Sequence, residues 1–381
     1  MQVALLGSGM MGKAIAFDLA RNDKIEKILV CDIDISQAKK VAEFVGSDKI
    51  KPTWVDVRNL KGTRETLENS KVIVSAIHYQ FNYELAQMAI ELGADFVDLG
   101  GNNTVVEKQL SLNEKAKSKG VTVIPDTGLA PGLVQVLTAH GAKQFDSLED
   151  VHLRVGGLPQ NPTPPLNYSL VFSIEGLINE YIEDAVVIRD GKVQTVKPLT
   201  ETEQLSFPAP FDQLEAFQTS GGTSTLPQTF YGRVKNLDYK TIRYPGHQKL
   251  FKTIIDLGFC SSQMVEIDGV KIIPRHLTGK ILESYLNGDN RDVALVSVEL
   301  SGEKAGKKEH LTYRMVDYYD EQNELTAMMR STGFPSAIIA QMLAEGKITK
   351  KGAVPQELSV PTDLFVEEMS RRGFKLEEIR D

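Results

Sequence analysis

Within its first twelve residues the chain runs from a short apolar strand pattern, Val3–Leu6, into Gly7-Ser8-Gly9-Met10-Met11-Gly12 and then a helical pattern over Met10–Arg21. Three glycines at that spacing leave the backbone few options. The first permits a tight turn out of a strand, the second lets a bulky polar group approach the backbone, and the third lets helix and strand pack closely. A helix opening there presents unpaired amides that hold a phosphate without help from lysine. Asp32 ends the next apolar run, twenty residues beyond Gly12, where a carboxylate accepts hydrogen bonds from a ribose. Turn, strand, helix and acid together predict a dinucleotide-binding Rossmann unit. A carboxylate at 32 repels a 2′-phosphate and no arginine follows within the next few positions, so NAD is expected over NADP.

The same rhythm continues to about residue 126. Strand patterns at Val3–Leu6, Lys27–Asp32, Thr53–Asp56, Lys71–Ile77, Asp95–Leu99 and Val121–Pro125 alternate with amphipathic stretches, Ser36 capping the second helix. Strands so rich in Val and Ile suit a parallel sheet covered on both faces. The fold class expected is α/β, a doubly wound parallel sheet in the order 3-2-1-4-5-6. Its switch-point crevice gathers the ends of several strands. Gly7, Ser8, Gly9, Met10, Met11 and Gly12 are expected at the pyrophosphate and Asp32 at the ribose, with Asp56 and Val57 near the adenine. Ala76, Ile77, Gly100 and Asn102 are expected beside the nicotinamide, where Tyr79 and Asp126 also emerge. A solvated strand-end carboxylate explains Asp56 equally well, and a plain turn explains Gly100-Gly101 nearly as well.

Past Pro131 the pattern changes. One helix, Gly132–Lys143, leads into strands at Val151–Val155, Val186–Val193 around an Asp190-Gly191 turn, Arg233–Arg243, and Val293–Leu300 with His310–Tyr319. Helical stretches at Ile174–Ile182 and Gln248–Leu257 supply cover, and Pro198–Pro210 reads as irregular loop. The expected division is 1–130 for the Rossmann domain, 131–330 for an α+β substrate and dimerisation domain, and 331–381 as a helical return to the first.

Composition removes other classes. A net charge of −8 and pI near 5.5 exclude a nucleic-acid backbone as partner. Two distant cysteines, Cys31 and Cys260, form no disulfide framework, and the histidines lack metal-ligand spacing, so no metal is expected. No apolar stretch is long enough for a membrane span, and a strand begins almost at residue 1; the expectation is a cytoplasmic protein.

Several segments carry a resemblance. These are Asp126-Thr127-Gly128-Leu129-Ala130-Pro131-Gly132, Gly156-Gly157-Leu158-Pro159, Ser173-Ile174-Glu175-Gly176-Leu177-Ile178-Asn179-Glu180-Tyr181, Ser220-Gly221-Gly222 and Leu237 through Arg243-Tyr244-Pro245-Gly246-His247. With Gly7-Ser8-Gly9, they resemble the saccharopine dehydrogenase-like family, and most closely its lysine 6-dehydrogenases. Ala130 and Val155 depart from the saccharopine reductases, which usually carry an aspartate and a cysteine there. The resemblance implies oxidation of the ε-carbon of L-lysine by NAD, giving ammonia and 2-aminoadipate 6-semialdehyde, in a homodimer.

That chemistry needs a proton acceptor for the ε-ammonium, a forked cation for the α-carboxylate, and a group for the α-ammonium. Arg243, with Arg154 in reserve, is the candidate for the carboxylate; Glu175 for the amine; and Thr219, in a loop of small donors, for further contacts. His247, Asp126 and Tyr79 are candidates for proton transfer. A strand arginine and a helix-capping histidine are the competing readings of Arg243 and His247. Reductive condensation within the same family, and a non-catalytic NAD-binding protein, are the alternative functions.

Overall fold

The computed structural model describes residues 1–288 and 291–381. It divides into two compact units: Met1–Gln144, Ser224–Leu226 and Met329–Phe374 form the first, and Phe145–Thr223, Pro227–Met328 and Lys375–Asp381 the second.

In the first unit six strands, β1 (Gln2–Leu6), β2 (Lys27–Asp32), β3 (Ile50–Trp54), β4 (Val72–Ser75), β5 (Asp95–Asp98) and β6 (Thr122–Ile124), lie in the order 3-2-1-4-5-6. Every pairing is parallel. A two-residue strand, Gly352–Ala353, adds a seventh member beyond β6. All of β4 and β5 is buried, as their Val- and Phe-containing runs require. β3 covers 50–54 rather than Thr53–Asp56 and contains Pro52. It is an edge strand, where one row of backbone groups has no partner and a missing N–H is tolerated. Asp34, not Ser36, caps the second helix, its side chain accepting from the Ser36 amide at 2.9 Å.

The unit extends past the expected boundary at 130, since the helix Leu133–Ala142 stays within it. The C-terminal return begins with the long helix Ala327–Ala344, which belongs to this unit from Met329 onward. Its anchor is Asp18, 3% exposed, on the first helix. The Asp18 carboxylate accepts from Arg372 Nε and Gln341 Nε2, each at 2.7 Å, and Arg372 also bonds Glu368. The return is shorter than expected. Residues 375–381 belong to the second unit, where Leu376–Arg380 pairs with Lys307–Tyr318.

The second unit is built on a mixed sheet of nine strands. Its centre is the long strand Ser147–Pro159, parallel to Asn236–Arg243 on one side and antiparallel to Asp292–Lys304 on the other. The hairpin Asp292–Lys304/Lys307–Tyr318 turns at Ala305-Gly306, both at positive φ, inside the expected Glu303–Lys308 region. Pro198–Pro210 contains one short strand, Glu203–Leu205. Two elements were not foreseen: an isolated hairpin, Val265–Ile267 with Val270–Ile272, and the helix Pro274–Leu286. Among the described residues no helix is long and apolar enough to cross a membrane.

The Asp18–Arg372 pair makes a stability prediction. Arg372→Met leaves a carboxylate buried without its cation and should cost about 3 kcal/mol or more, whereas Asp18→Asn with Arg372→Met should recover much of that loss. Urea unfolding of the three proteins measures it; a single-variant loss below ~1 kcal/mol would put the pair in the class of surface bridges.

Candidate active site

Two groups of polar side chains emerge, one in each unit. In the first unit the glycine turn has the geometry a dinucleotide needs. A Cβ on Gly12 would run into the Gly7 carbonyl, so only glycine lets the helix start this close to β1. A Cβ on Gly9 would meet no protein atom within 4 Å, leaving its backbone open on the side where a pyrophosphate approaches. The helix Met10–Ala20 begins there without a side-chain cap and without an acid in its first turn. Asp32 is set by its neighbours: Oδ2 accepts from the Ser8 amide at 2.8 Å and from the Ser8 hydroxyl at 2.6 Å, and Oδ1 from the Asp34 amide. It borders a cavity of about 300 Å³ lined also by Gly7, Val55, Val57, Ile77 and Phe81, a size and apolarity that suit an adenosine.

Two expectations change at this cavity. Asp56 lines it, but its carboxylate is held bidentately by Arg58, at 2.8 Å to each oxygen, so it binds an arginine before any adenine edge. Arg58 itself was missed. It lies 26 residues beyond Asp32 yet borders the same cavity, because β3 sits beside β2. Asn102 also proves to have local work, capping the helix Asn103–Leu110 by accepting from the Val105 amide.

Three strand-end loops meet around Asp126, which is 3% exposed and held at a φ of 62°. The paired glycines follow from their neighbours. At Gly100, with φ of 75°, a Cβ would collide with Asp126 Oδ1; at Gly101 it would press on the Tyr79 ring at 3.0 Å. The Ser224 hydroxyl donates to Asp126 Oδ2, while Oδ1 is buried and has no hydrogen-bond partner. Asp98 lies behind it, accepting from Gln109 and the Gly100 amide. Burial above all, then the Asp98 charge, pushes the Asp126 carboxyl up to about 7, against the opposing Ser224 hydrogen bond. Asp98 is itself pushed up to about 6 by burial. Asp126 is therefore a carboxyl that exchanges its proton near neutrality.

In the second unit one strand carries both of its polar groups. Alternation along Asn236–Arg243 sends Asp238 and Lys240 to one face and Tyr239, Thr241 and Arg243 to the other. On the first face the charges neutralise one another. Arg154 bonds Asp238 at 2.9 Å and Glu203, Lys240 bonds Glu203 at 2.7 Å, and His152 and Arg189 complete the shell of Asp238. Arg154 is thus committed to structural pairs, against its reserve role at a substrate carboxylate.

On the other face Arg243 is 2% exposed. Its Nε donates to Tyr181 Oη at 2.9 Å and its Nη1 to the Ile242 carbonyl at 2.8 Å. The Tyr168 ring lies 4.7 Å from the guanidinium carbon. Among the described residues three Lys or Arg side chains are buried, and Arg243 alone of these has no carboxylate within 4.0 Å. Its charge is felt by Glu180, whose enclosed carboxyl is pushed up to about 7 by burial while Arg243 pulls it down. Glu180 is a residue the sequence reading passed over. Glu175, chosen instead, is exposed in the first turn of the helix Ile174–Ile182. Thr219, 1% exposed, shares a 2.7 Å hydrogen bond with Thr241 on the Arg243 face.

His247 begins the helix His247–Asp256, as expected, but both ring nitrogens are engaged. Nδ1 lies 2.9 Å from the Leu166 carbonyl, which only accepts, so Nδ1 carries the proton and Nε2 receives the Tyr181 hydroxyl at 3.1 Å. Burial first, then Arg243, pushes the imidazole down to about 3. No lone pair remains for a substrate proton. The chain Leu166–His247–Tyr181–Arg243 instead fixes the guanidinium, which corrects the reading of His247 as base.

A glycine turn, a ribose-facing aspartate and an ordered crevice define a Rossmann-type dinucleotide-binding protein. The chain belongs to the saccharopine dehydrogenase family: residues 3–124 match the saccharopine dehydrogenase NADP binding domain and residues 128–374 the saccharopine dehydrogenase C-terminal domain. It is 25% identical over 276 residues to saccharopine dehydrogenase [NADP(+), L-glutamate-forming] of Saccharomyces cerevisiae, a match spanning 70% of this chain and 60% of that enzyme. It is 23% identical to carboxyaminopropylagmatine dehydrogenase of Synechocystis, over 99% of this chain and 97% of that one. The apo structure of the Saccharomyces cerevisiae L-Glu-forming enzyme shares the fold with a TM-score of 0.81 at 21% identity, covering 100% of this chain and 99% of that one.

The elevated Asp126 carboxyl couples stability to pH. The native group keeps its proton to about pH 7, whereas the unfolded chain releases it near 3.8. The native state therefore loses stability as pH rises across that window, by up to about 4 kcal/mol. Asp126→Asn, uncharged and of the same shape, should be more stable than the parent at pH 8 and similar at pH 4. Equal denaturation midpoints at pH 8 would refute the elevation.

Proposed function

We propose that this protein is an NAD-dependent dehydrogenase that oxidises the ε-carbon of L-lysine, working as a homodimer in the cytoplasm. The overall change is R–CH2–NH3⁺ + NAD⁺ + H2O → R–CHO + NADH + NH4⁺ + H⁺, with 2-aminoadipate 6-semialdehyde as product. NAD supplies the hydride acceptor. The observation that carries the reading is the Arg243 guanidinium: a buried cation without an acidic partner, its stem fixed by Tyr181 and its face by Tyr168. Such a group calls for a carboxylate, and a fork suits one best. Arg154 and Lys240 are already neutralised, so the set fits a substrate bearing one carboxylate better than saccharopine, which bears three. Glu180 is the partner for the α-ammonium, which would draw its proton off.

Asp126 takes the proton from the ε-ammonium. An ordinary aspartate lies ~6.5 pKa units below a lysine ammonium, but at about 7 Asp126 lies only ~3.4 units below it. The difference is worth about 4 kcal/mol in the transfer. Tyr79, across Gly101 from Asp126, orients the amine, and the Ser224 hydroxyl holds Asp126 in place.

NAD is chosen over NADP because Asp32 opposes a 2′-phosphate and Arg58 is already paired to Asp56. The matching domain is described as NADP binding and the yeast relative as NADP(+)-dependent, so the preference is a property to be measured on this chain. A second reading, oxidation or formation of a secondary amine, is favoured by relatives such as carboxynorspermidine synthase of Vibrio cholerae, 20% identical over 98% of this chain.

A screen of NADH release across lysine, ornithine, saccharopine and diamines separates the two. The expected result is turnover on lysine with cadaverine a poor substrate. Turnover confined to saccharopine or to a carboxylated polyamine would replace this reading with the second. Arg243→Met should raise KM for lysine and leave kcat little changed, since a carboxylate far from the reacting carbon binds ground and transition states alike. Asp126→Asn should lower kcat by ~10²–10⁴ and abolish the acidic limb of the kcat/KM profile, which in the parent falls as pH drops below about 7. Ser224→Ala removes a hydrogen bond to the ionised carboxyl and should move that limb upward; a limb that stays in place in both variants would clear Asp126 of the role.

A further inference from the structure

Residues 247–286 of the second unit form one continuous segment: the helix His247–Asp256, the hairpin Val265–Ile267/Val270–Ile272 and the helix Pro274–Leu286. Backbone and side-chain bonds tie its ends together, with Thr278 Oγ1 on the Phe259 carbonyl at 2.8 Å and the Arg275 amide on the Ser261 carbonyl at 3.0 Å. The second helix is apolar on two sides. Leu282 and Leu286 are buried. Leu277, Ile281 and Tyr285, at i, i+4 and i+8, form a separate stripe and are 49%, 59% and 54% exposed. A helix buried on one side only shows charged residues along the other. Beside the stripe stand Phe259 at 53%, Ile267 at 52% and Val270 at 60%.

The hairpin is the second observation. It is a sheet of two three-residue strands that pair only with each other among the described residues. A two-stranded sheet with both edges open and its side chains in water is marginal on its own and needs a covering surface.

We propose that this segment is the interface through which two copies of the chain associate about a two-fold axis. Six large side chains, each half exposed, present roughly 600 Å² of apolar surface, close to the ~800 Å² that each partner buries in a standard interface. Open hairpin edges and flanking backbone make up the difference. Charge decides which partner fits. The segment carries five Lys and Arg against four Asp and Glu, and Lys252–Asp256 and Lys280–Glu283 already pair within the copy. No excess charge waits for an oppositely charged protein or an anionic membrane. An apolar, nearly neutral patch is complementary to itself, and a two-fold sets it against its own image.

Sedimentation of the full chain at micromolar concentration should give a particle twice the 42.1 kDa of one copy. Ile281→Asp and Val270→Asp should each raise the dimer dissociation constant at least ~100-fold, the cost of desolvating a charge in an apolar contact. Tyr231→Asp, at another exposed aromatic of the same unit, should leave it unchanged. Hydrogen exchange on the unaltered protein gives an answer even if a variant does not fold: amides of 265–272 should lose protection on dilution as dimer dissociates. A monomer at micromolar concentration, a dimer indifferent to both substitutions, or a monomer that floats with phosphatidylcholine vesicles would each overturn the proposal.

Discussion

Every residue charge placed on the strand Asn236–Arg243 must be answered inside the protein, because seven of its eight residues are buried. The alternation of a β-strand then sorts the charges without any choice by the fold. Asp238 and Lys240 fall on a face where Arg154, Arg189, His152 and Glu203 converge, and the ionic groups there balance. Arg243 falls on the opposite face among tyrosines. Its desolvation is eased by π-faces and by two hydrogen bonds, not by a carboxylate, so the charge is held but not cancelled. A cation maintained in that state is costly to the fold, and the cost is recovered when an anion arrives.

The first unit solves the opposite problem with the same means. Asp98 and Asp126 are two buried acids close enough to repel, and each answers with a different number of donors. Asp98 has Gln109 and the Gly100 amide; Asp126 has Ser224 on one oxygen and nothing on the other. Environment thus pushes two identical side chains into two roles, Asp98 as a fixed acceptor and Asp126 as the group that keeps a proton to neutrality. The glycines at 100 and 101 are consequences of this arrangement, for a side chain at either would occupy the space of Asp126 or Tyr79.

How much of this could be read from the sequence depended on whether a residue acts locally. The glycine turn, Asp32 and the 3-2-1-4-5-6 order were legible because strand, turn and helix follow one another within about thirty residues. Arg243 stood out for its motif, and Asp126 for its place at a strand end. Arg58 was invisible, since its approach to the cavity of Asp32 comes from β3 lying beside β2 and not from nearness in the chain. Glu180 and Glu175 look alike on one helix; only packing tells which is enclosed. His247 was placed at its helix start, but the role of its nitrogens is set by Leu166 and Tyr181, 81 and 66 residues away. The segment 258–292 gave no clear period because its helix is apolar on two sides and its strands are three residues long.

That segment also connects the two kinds of surface on the second unit. The helix His247–Asp256 carries His247 at its first residue, buried between Tyr181 and the Leu166 carbonyl, while Leu250 at 43% and the capping Leu257 at 70% exposure face outward. Its inner anchor is Phe251, edge-on to Tyr181 with ring centroids 4.7 Å apart. The same rigid body thus buttresses Arg243 from inside and contributes apolar surface outside. Covering that outer face would restrain the helix, and through His247 and Tyr181 it would restrain the guanidinium. A fork gains affinity from being held in place before its ligand binds, since less freedom is lost on contact. Association of two copies and tight recognition of a carboxylate would on this account be linked through one helix, with no residue of either copy reaching into the other's site.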